Sequence, residues 1–342
     1  MYIHSPKRPQ IAHAWIASYM IAVRPLMGML LNDLTKASED VFLIESSFEG
    51  IEMNLKSLEY LDRLRSLPAG SVGASIAIKD KKGNDLGITF KNKHEDGDFW
   101  FLIPYPHAPT MRRQTEALVA SIAAAKVIVS ARSIKVAGEI FAKAVREYLS
   151  ISLVEGAICD CMKEKEPLSF ARNDERSRRI QRLVKRLAKE YGKDPKCIDA
   201  LEICCGNGMS TTPLRKTFNT VLSVDNDRCA VCNGLYHEIL IPEETAIVDA
   251  MELSRYGLGK YGAVTGFMLG AIYEFNKPVW RKIMEESIKM LNDDGFLLFT
   301  VSKEEEMDFI AESFASMGVE GDVVDNRHKE SIYDSWAFVA VR

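Results

Sequence analysis

The amino-acid sequence predicts a mixed α+β N-terminal region followed by an α/β domain. That second domain is built on a seven-stranded, mostly parallel sheet with a terminal antiparallel strand. Three observations carry this expectation. From Cys197 onward, short apolar runs alternate with helical patterns, which is how a parallel sheet with helices on both faces is written. The last two runs follow one another at the chain end as an apparent hairpin. A length of 342 residues is also more than one hydrophobic core usually holds.

The seven runs are Cys197–Ile203, Thr220–Val224, Thr245–Val248, Ala263–Leu269, Gly295–Val301, Val319–Val324 and Ala337–Val341. Helical segments separate the first five. Upstream, Ile11–Leu31 and Leu55–Leu64 carry helical spacing. Val72–Lys79 and Leu86–Lys91 flank the turn-rich KDKKGND segment as a hairpin, and Asp98–Tyr105 adds a third strand, ended by Pro104, Pro106 and Pro109. Thr110–Met162, rich in Ala, Ile, Val and Lys, predicts two long helices, and Glu164–Asn173 reads as a linker. Asn173–Lys193 is a basic amphipathic helix with Ile180, Leu183, Val184 and Leu187 on one face. The expected divisions are therefore residues 1–172 for the N-terminal domain, 173–195 for a connecting helix and 196–342 for the α/β domain. No internal repeat or low-complexity tract interrupts them.

Charge is distributed unevenly. Residues 1–172 carry 22 Lys/Arg against 20 Asp/Glu, residues 173–195 carry 8 against 4, and residues 196–342 carry 14 against 24. An acidic C-terminal domain repels phosphate backbones and so argues against nucleic acid as its direct partner. The apolar stretch Ile11–Leu31 is broken by His13, Arg24 and Pro25, which predicts a buried helix rather than a membrane span or signal. Seven cysteines, an odd number, are read as thiols of a reducing cytoplasm.

The most informative run is Glu202-Ile203-Cys204-Cys205-Gly206-Asn207-Gly208. A buried strand ends in a carboxylate, and a turn of small residues then opens a helix, which lets backbone approach a ligand closely. The next strand ends at Asp225, followed by Asn226. An acid at this place in a nucleotide-binding βαβ unit accepts hydrogen bonds from ribose hydroxyls. A third strand ends at Asp249-Ala250-Met251. Three acids thus stand at the carboxyl ends of three consecutive strands.

From Cys197 to Arg342 the chain resembles the class I, Rossmann-like S-adenosylmethionine-dependent methyltransferases. Their first motif pairs an acid with three alternating glycines. Glu202 matches the acid, Gly206 and Gly208 match the last two glycines, and Cys204 replaces the first. The resemblance implies S-adenosylmethionine as cofactor. It places Glu202 near the methionine amino group, Asp225 on the ribose and Asp249 on the adenine amino group. Ala250 and Met251 would flank the adenine, with Cys205, Asn207 and Leu269 walling the cofactor. Asn292-Asp293-Asp294-Gly295 matches the family's turn into its fifth strand. The missing first glycine and the terminal strand pair favour methyl binding over NAD-dependent hydride transfer.

The family commonly binds its methyl acceptor just after the fourth strand. The polar candidates there are Tyr273, as a hydrogen-bonding group, and Glu274, as a general base; beginning the following helix is an equal alternative for both. The Asn-Pro-Pro-Tyr and Asp-Pro-Pro-Tyr motifs of many nitrogen methyltransferases are missing. The acceptor is therefore expected to be a protein side chain or a small molecule. An RNA acceptor, gripped by the basic helix and the hairpin Lys79–Lys93, and a scaffold that binds cofactor without turnover are the alternatives. The N-terminal region is assigned substrate recognition or homodimerisation. The pairs Cys159/Cys161 and Cys229/Cys232 could together supply four thiolates to a metal. Their separation and the helical spacing of the second pair favour no metal site, and the six histidines are dispersed.

Overall fold

A computed structural model describes residues 30–95, 97–156, 174–329 and 331–342. The described residues form two compact units, one from those up to residue 46 and from 53 to 148, the other from residues 47–52 and those from 149 onward. The boundary expected at residue 172 falls outside the described residues. The units divide earlier, within a helix.

The first unit begins with helix α1 (Leu30–Thr35) and strand β1 (Val41–Leu43). Helix α2 (Phe48–Met53) belongs almost wholly to the second unit. The first unit resumes with α3 (Leu55–Arg65), β2 (Val72–Lys79), β3 (Asp85–Asn92), β4 (Phe99–Pro104), α4 (Pro109–Ala124), β5 (Ile128–Lys135) and the first part of α5 (Gly138–Val154). The sheet order is β1-β4-β3-β2-β5, with β2, β3 and β4 as an antiparallel meander. The hairpin expected around KDKKGND forms: Asp80 accepts from the Asn84 amide at 2.8 Å, and Gly83 takes a positive φ of 95°. Tyr60 of α3 packs edge-on against Phe101 of β4, with ring centroids 5.4 Å apart. Apart from Leu30 and Leu31, the helix expected over Ile11–Leu31 lies outside the described residues.

One expectation here is corrected. Between the two helices expected over Thr110–Met162 runs strand β5. Its β-branched Ile128, Val129 and Ile134 suit a strand, and residues 128–135 pair in parallel with β2. Tertiary pairing settled what composition left as helix. Strand β1 was likewise not anticipated, at three residues being too short for a period to show.

The second unit contains all seven expected strands. After α6 (Asp174–Glu190) come β6 (Asp199–Ile203), α7 (Thr211–Arg215), β7 (Thr220–Asp225), α8 (Arg228–Tyr236) and β8 (Thr245–Ile247). Then follow β9 (Tyr261–Gly266), α9 (Lys277–Lys289), β10 (Leu291–Val301), α10 (Glu304–Ser316), β11 (Asp322–Asp325) and β12 (Trp336–Val341). Their order is β11-β12-β10-β9-β6-β7-β8. Strands β6 to β10 are parallel, and β12 runs antiparallel between β10 and β11. Residues 292–295, expected as a turn before the fifth strand, form an irregularity inside β10, where the register with β9 shifts between Leu291 and Phe296.

The amphipathic helix α6 has a structural role. Ile180, Leu183, Val184 and Leu187 are buried against Phe218, Phe296 and Val339 on one sheet face. On the other face Phe299, Phe314 and Phe338 pack together, the last two stacked at 4.9 Å. The chain builds outward from β6 through β7 to β8, then returns to the other side of β6 for β9. That reversal opens a crevice at the carboxyl ends of the strands, where open α/β sheets bind ligands. Among the described residues no helix is long and apolar enough to cross a membrane.

Candidate functional site

The turn after β6 sits at this reversal. Cys204 and Gly206 both adopt φ 54°, and Gly208 φ 88°. Cys204 thus occupies a left-handed backbone position that costs an L-residue roughly 1–2 kcal/mol and a glycine nothing. It stands where the resembling family has its first glycine. The two glycines serve different purposes. A Cβ on Gly208 would meet Ile239 and Leu240 at 2.8 Å, so this glycine lets the loop pack. A Cβ on Gly206 would meet nothing within 4 Å, so this glycine faces open space.

Asp225, at the end of β7, reaches across to that turn. One carboxylate oxygen accepts from the Gly206 amide and the other from the Asp227 amide, each at 2.8 Å. The carboxylate therefore fixes the turn while remaining partly exposed beside the exposed Asn226. Asp249 follows β8 and accepts from the Met251 amide at 2.8 Å, starting a short 3-10 helix, Ala250–Tyr256. Ala250 is buried and Met251 half-buried.

Glu202 lies in the interior. It is fully buried, and its carboxylate accepts from the Thr211 hydroxyl at 2.6 Å and the Ser223 hydroxyl at 2.8 Å. Burial pushes its pKa up, against the pull of hydrogen bonds from Ser210, Thr211 and Ser223. Its second oxygen has no partner among the described residues. In this geometry Glu202 ties the loop to β7 and presents no surface to an open cleft.

A cavity of about 140 Å³ lies beside Asp249. Asn226, Ile247, Val248 and Asp249 line it from the strand ends, with Arg228 from the start of α8 and Tyr256 from the 3-10 helix. Ser47, Phe48 and Glu49, from residues about 180 to 200 positions earlier, complete it with Leu149. Sequence reasoning missed these last four and Tyr256. No motif marks them, because they reach the strand ends only through the tertiary fold.

The turn after β9 is held from the neighbouring strand. Met268, at φ 54°, donates its amide to the Thr300 hydroxyl at 2.8 Å, and buried Leu269 donates to the Thr300 carbonyl at 3.0 Å. Beyond it, Tyr273 is 53% exposed and stacks on the exposed Phe275. Glu274 is almost fully exposed and pairs with Lys277. The structure thus puts Tyr273 and Glu274 on the surface loop leading into α9, and neither lines the cavity beside Asp249.

One network was not foreseen. Arg176 of α6 donates from Nε and Nη2 to the two carboxylate oxygens of Asp334, at 2.7 and 3.1 Å, with both side chains buried. The Thr300 hydroxyl donates to the same carboxylate at 2.7 Å, and the Asp334 amide lies 3.3 Å from the Met268 sulfur. Helix α6, the β11–β12 loop and the turn after β9 are locked together. The basic composition of α6 was the only available signal.

The five described cysteines are spread over the second unit. Burial pushes the Cys204 thiol up to about 12 and Cys205 well above its ordinary value, so neither is a thiolate near neutrality. Cys229 is exposed on α8, whereas Cys232 is buried with its sulfur 3.7 Å from the Leu153 carbonyl. Cys159 and Cys161 lie outside the described residues. Among the described residues no group of His, Cys, Asp and Glu is arranged to hold a metal.

No family model matches the chain, and no curated protein matches it. Solved structures do align with about half of it. The sugar N-methyltransferase KedS8 from Streptoalloteichus sp ATCC 53650 has 14% identity, with 52% of this chain and 94% of that one covered, at a TM-score of 0.41. The amino pentose methyltransferase CalS10 from Micromonospora echinaspora, solved with S-adenosylmethionine, has 12% identity, coverages of 53% and 98%, and a TM-score of 0.40. Magnesium protoporphyrin IX methyltransferase (ChlM) from Synechocystis PCC 6803 has 18% identity, coverages of 59% and 97%, and a TM-score of 0.37. By its own strand order and direction, the second unit has the seven-stranded Rossmann-like fold of class I methyltransferases.

Proposed function

We propose that the second unit binds S-adenosylmethionine and transfers its methyl group to a small molecule or a protein side chain. The observation that carries this reading is the Gly206–Asp225 clasp. It combines an open glycine turn with a partly exposed carboxylate beside the Asn226–Asp249 cavity, all at the carboxyl ends of β6, β7 and β8. Asp225 would accept from the ribose hydroxyls. Asp249, Val248 and Tyr256 would surround the adenine, and the turn Cys204–Gly208 would run beside the methionine portion, with Leu269 closing the wall.

The cofactor supplies an already activated methyl group on a sulfonium. The chain's own work is then alignment of the acceptor and exclusion of water. The Met268–Thr300–Asp334 lock serves alignment by holding the turn after β9 rigid. An acceptor that must shed a proton needs a base, and Glu274 could act only after leaving Lys277. We keep Tyr273 and Glu274 as the loop's polar candidates for that role.

An RNA acceptor draws support from basic surfaces. Arg178, Arg182, Lys185, Arg186 and Lys189 form an exposed stripe on α6. In the hairpin of the first unit Lys79 pairs with Asp85 and Lys91 with Glu39 and Asp98, whereas Lys81, Lys82 and Lys93 are exposed. The acidity of residues 196–342, 14 Lys/Arg against 24 Asp/Glu, favours a small-molecule or protein acceptor. The N-terminal unit we assign to acceptor recognition or self-association.

Calorimetric titration with S-adenosylmethionine and S-adenosylhomocysteine, beside Asp225→Ala, tests the cofactor site. Affinity on the order of micromolar, weakened at least about tenfold in the variant, is expected. Folded protein that binds neither ligand would overturn the reading. Binding without turnover on any fraction of a cell extract would favour the scaffold alternative.

A further inference from the structure

The cavity beside Asp249 is closed by a segment that lies outside the seven-stranded fold. Residues 47–52 belong to the second unit, yet the chain on either side of them belongs to the first. The Ser47 hydroxyl accepts from the Gly50 amide, and its carbonyl from the Ile51 amide, each at 3.0 Å. Ile51 and Glu52 are buried, and Phe48 packs against the apolar core of the second unit, as Tyr256 does. The segment is thus held in place with Ser47, Phe48 and Glu49 turned to the cavity.

Size and lining restrict what the cavity takes. A cavity of about 150 Å³ holds a benzene ring, so this one, at about 140 Å³, suits one flat base rather than a whole nucleoside. Phe48, Val248 and Tyr256 offer it apolar and aromatic walls. The charged groups in the lining are Glu49, Asp249 and Arg228, two carboxylates against one guanidinium. Both carboxylates bear on the Tyr256 hydroxyl. Burial first, then Glu252, Glu49 and Asp249, push that hydroxyl above its ordinary range, against the opposing pull of Arg255. Carboxylates only accept, so such a rim selects a ring that presents N–H donors to it.

We propose that residues 47–52 are part of the cofactor site, with Phe48 as a wall for the adenine ring and the Glu49 carboxylate as an acceptor for its amino group. The proposal rests on the methyl-transfer reading above and adds an upstream segment to that site as a specificity element. Phe48 keeps water from the ring, and an aromatic contact adds to what burial alone contributes. Glu49 beside Asp249 favours an amino purine over a keto purine, whose oxygen would face carboxylates with no donor between them. Both ends of the segment continue into the first unit, so the seven-stranded fold by itself lacks this part of the site.

The test is titration of the full chain with S-adenosylhomocysteine and with S-inosylhomocysteine, which carries a keto oxygen in place of the amino group. The parent should bind the first at least about tenfold more tightly. Phe48→Ala should weaken S-adenosylhomocysteine about tenfold, and Phe48→Leu by less. Glu49→Gln should narrow the preference between the two ligands at least about threefold, because an amide can donate to the keto oxygen. A purely structural α2 would leave that ratio unchanged. Glu49 is exposed, so its variant still decides the matter if Phe48→Ala unfolds. Equal binding of the two ligands by the parent overturns the proposal. So does parental affinity in folded Phe48→Ala, or an unchanged preference in Glu49→Gln. Asp225→Ala separates two failures. If it alone weakens S-adenosylhomocysteine, the cofactor site stands without α2. If the folded parent binds neither ligand, the methyl-transfer reading falls too.

Discussion

The crevice of the second unit has two flanks that are built in opposite ways. On the β6–β7–β8 flank, Cys204, Gly206, Asp225 and Asp249 all come from about 50 consecutive residues, each at a strand end. On the β9–β10–β12 flank, the lock joins Arg176 to Asp334 across 158 residues, with Met268 and Thr300 between. The first flank uses backbone geometry and short-range clasps. The second uses a buried ion pair between distant segments. A ligand gripped mainly by backbone can be served by a local motif, whereas orienting a second molecule here depends on elements that meet only in the folded sheet.

This contrast can be broken most severely at the ion pair. Arg176→Met should cost about 3–5 kcal/mol, because it strands a buried carboxylate. Adding Asp334→Asn should recover a large part of that loss. Urea denaturation of the three proteins checks this, and a single-variant cost below about 1 kcal/mol would mean the lock is not the flank's support.

The local flank can be probed with its two glycines. Gly208→Ala combines a left-handed backbone with a methyl 2.8 Å from Ile239 and Leu240, so roughly 2–4 kcal/mol should be lost. Gly206→Ala has the backbone penalty alone, roughly 1–2 kcal/mol, because its methyl points into open space. That same methyl should nevertheless weaken S-adenosylhomocysteine more than Gly208→Ala does in folded protein. Equal stability losses in the two variants would remove the distinction between a packing glycine and a ligand-facing one.

The smallest effect is a pH dependence. Burial holds the Glu202 carboxyl above the unfolded value of about 4.3. In the window above that value the native state binds the proton more strongly than the unfolded chain, so this group's contribution to stability falls as pH rises. Glu202→Gln removes the titration and retains an amide oxygen that can accept from Thr211 and Ser223. Its melting temperature relative to the parent should therefore climb between about pH 4 and pH 8, by a few degrees at most. A difference that stays flat over that range would show that the Thr211 and Ser223 hydroxyls fully offset the burial.

Much of the fold was legible because period and punctuation are local. All seven strands of the second unit, the hairpin around Asp80–Asn84 and the helices α3 and α6 lie close to where apolar spacing puts them. Strand β5 was not legible. Its eight residues are mostly exposed, so no inward-facing period marks them, and only pairing with β2 makes them a strand. The site divides along the same line. The strand-end places of Gly206, Asp225 and Asp249 were legible, whereas the burial of Glu202 is not written beside it. Phe48 and Tyr256 carried no signal of their own.

By itself, then, the sequence determined the alternation that makes a parallel sheet, the small-residue turn after its first strand and the acids at the next two strand ends. Those depend on neighbours within a few residues. Only the tertiary structure decided that Glu202 is clasped in the interior, that Phe48 closes a cavity beside Asp249, and that Arg176 is paired with Asp334 while Arg179 meets Ser331 and Glu175. The physical reason is that burial and charge compensation are properties of surroundings. Two arginines three positions apart on one helix differ only in what the rest of the chain brings to meet them.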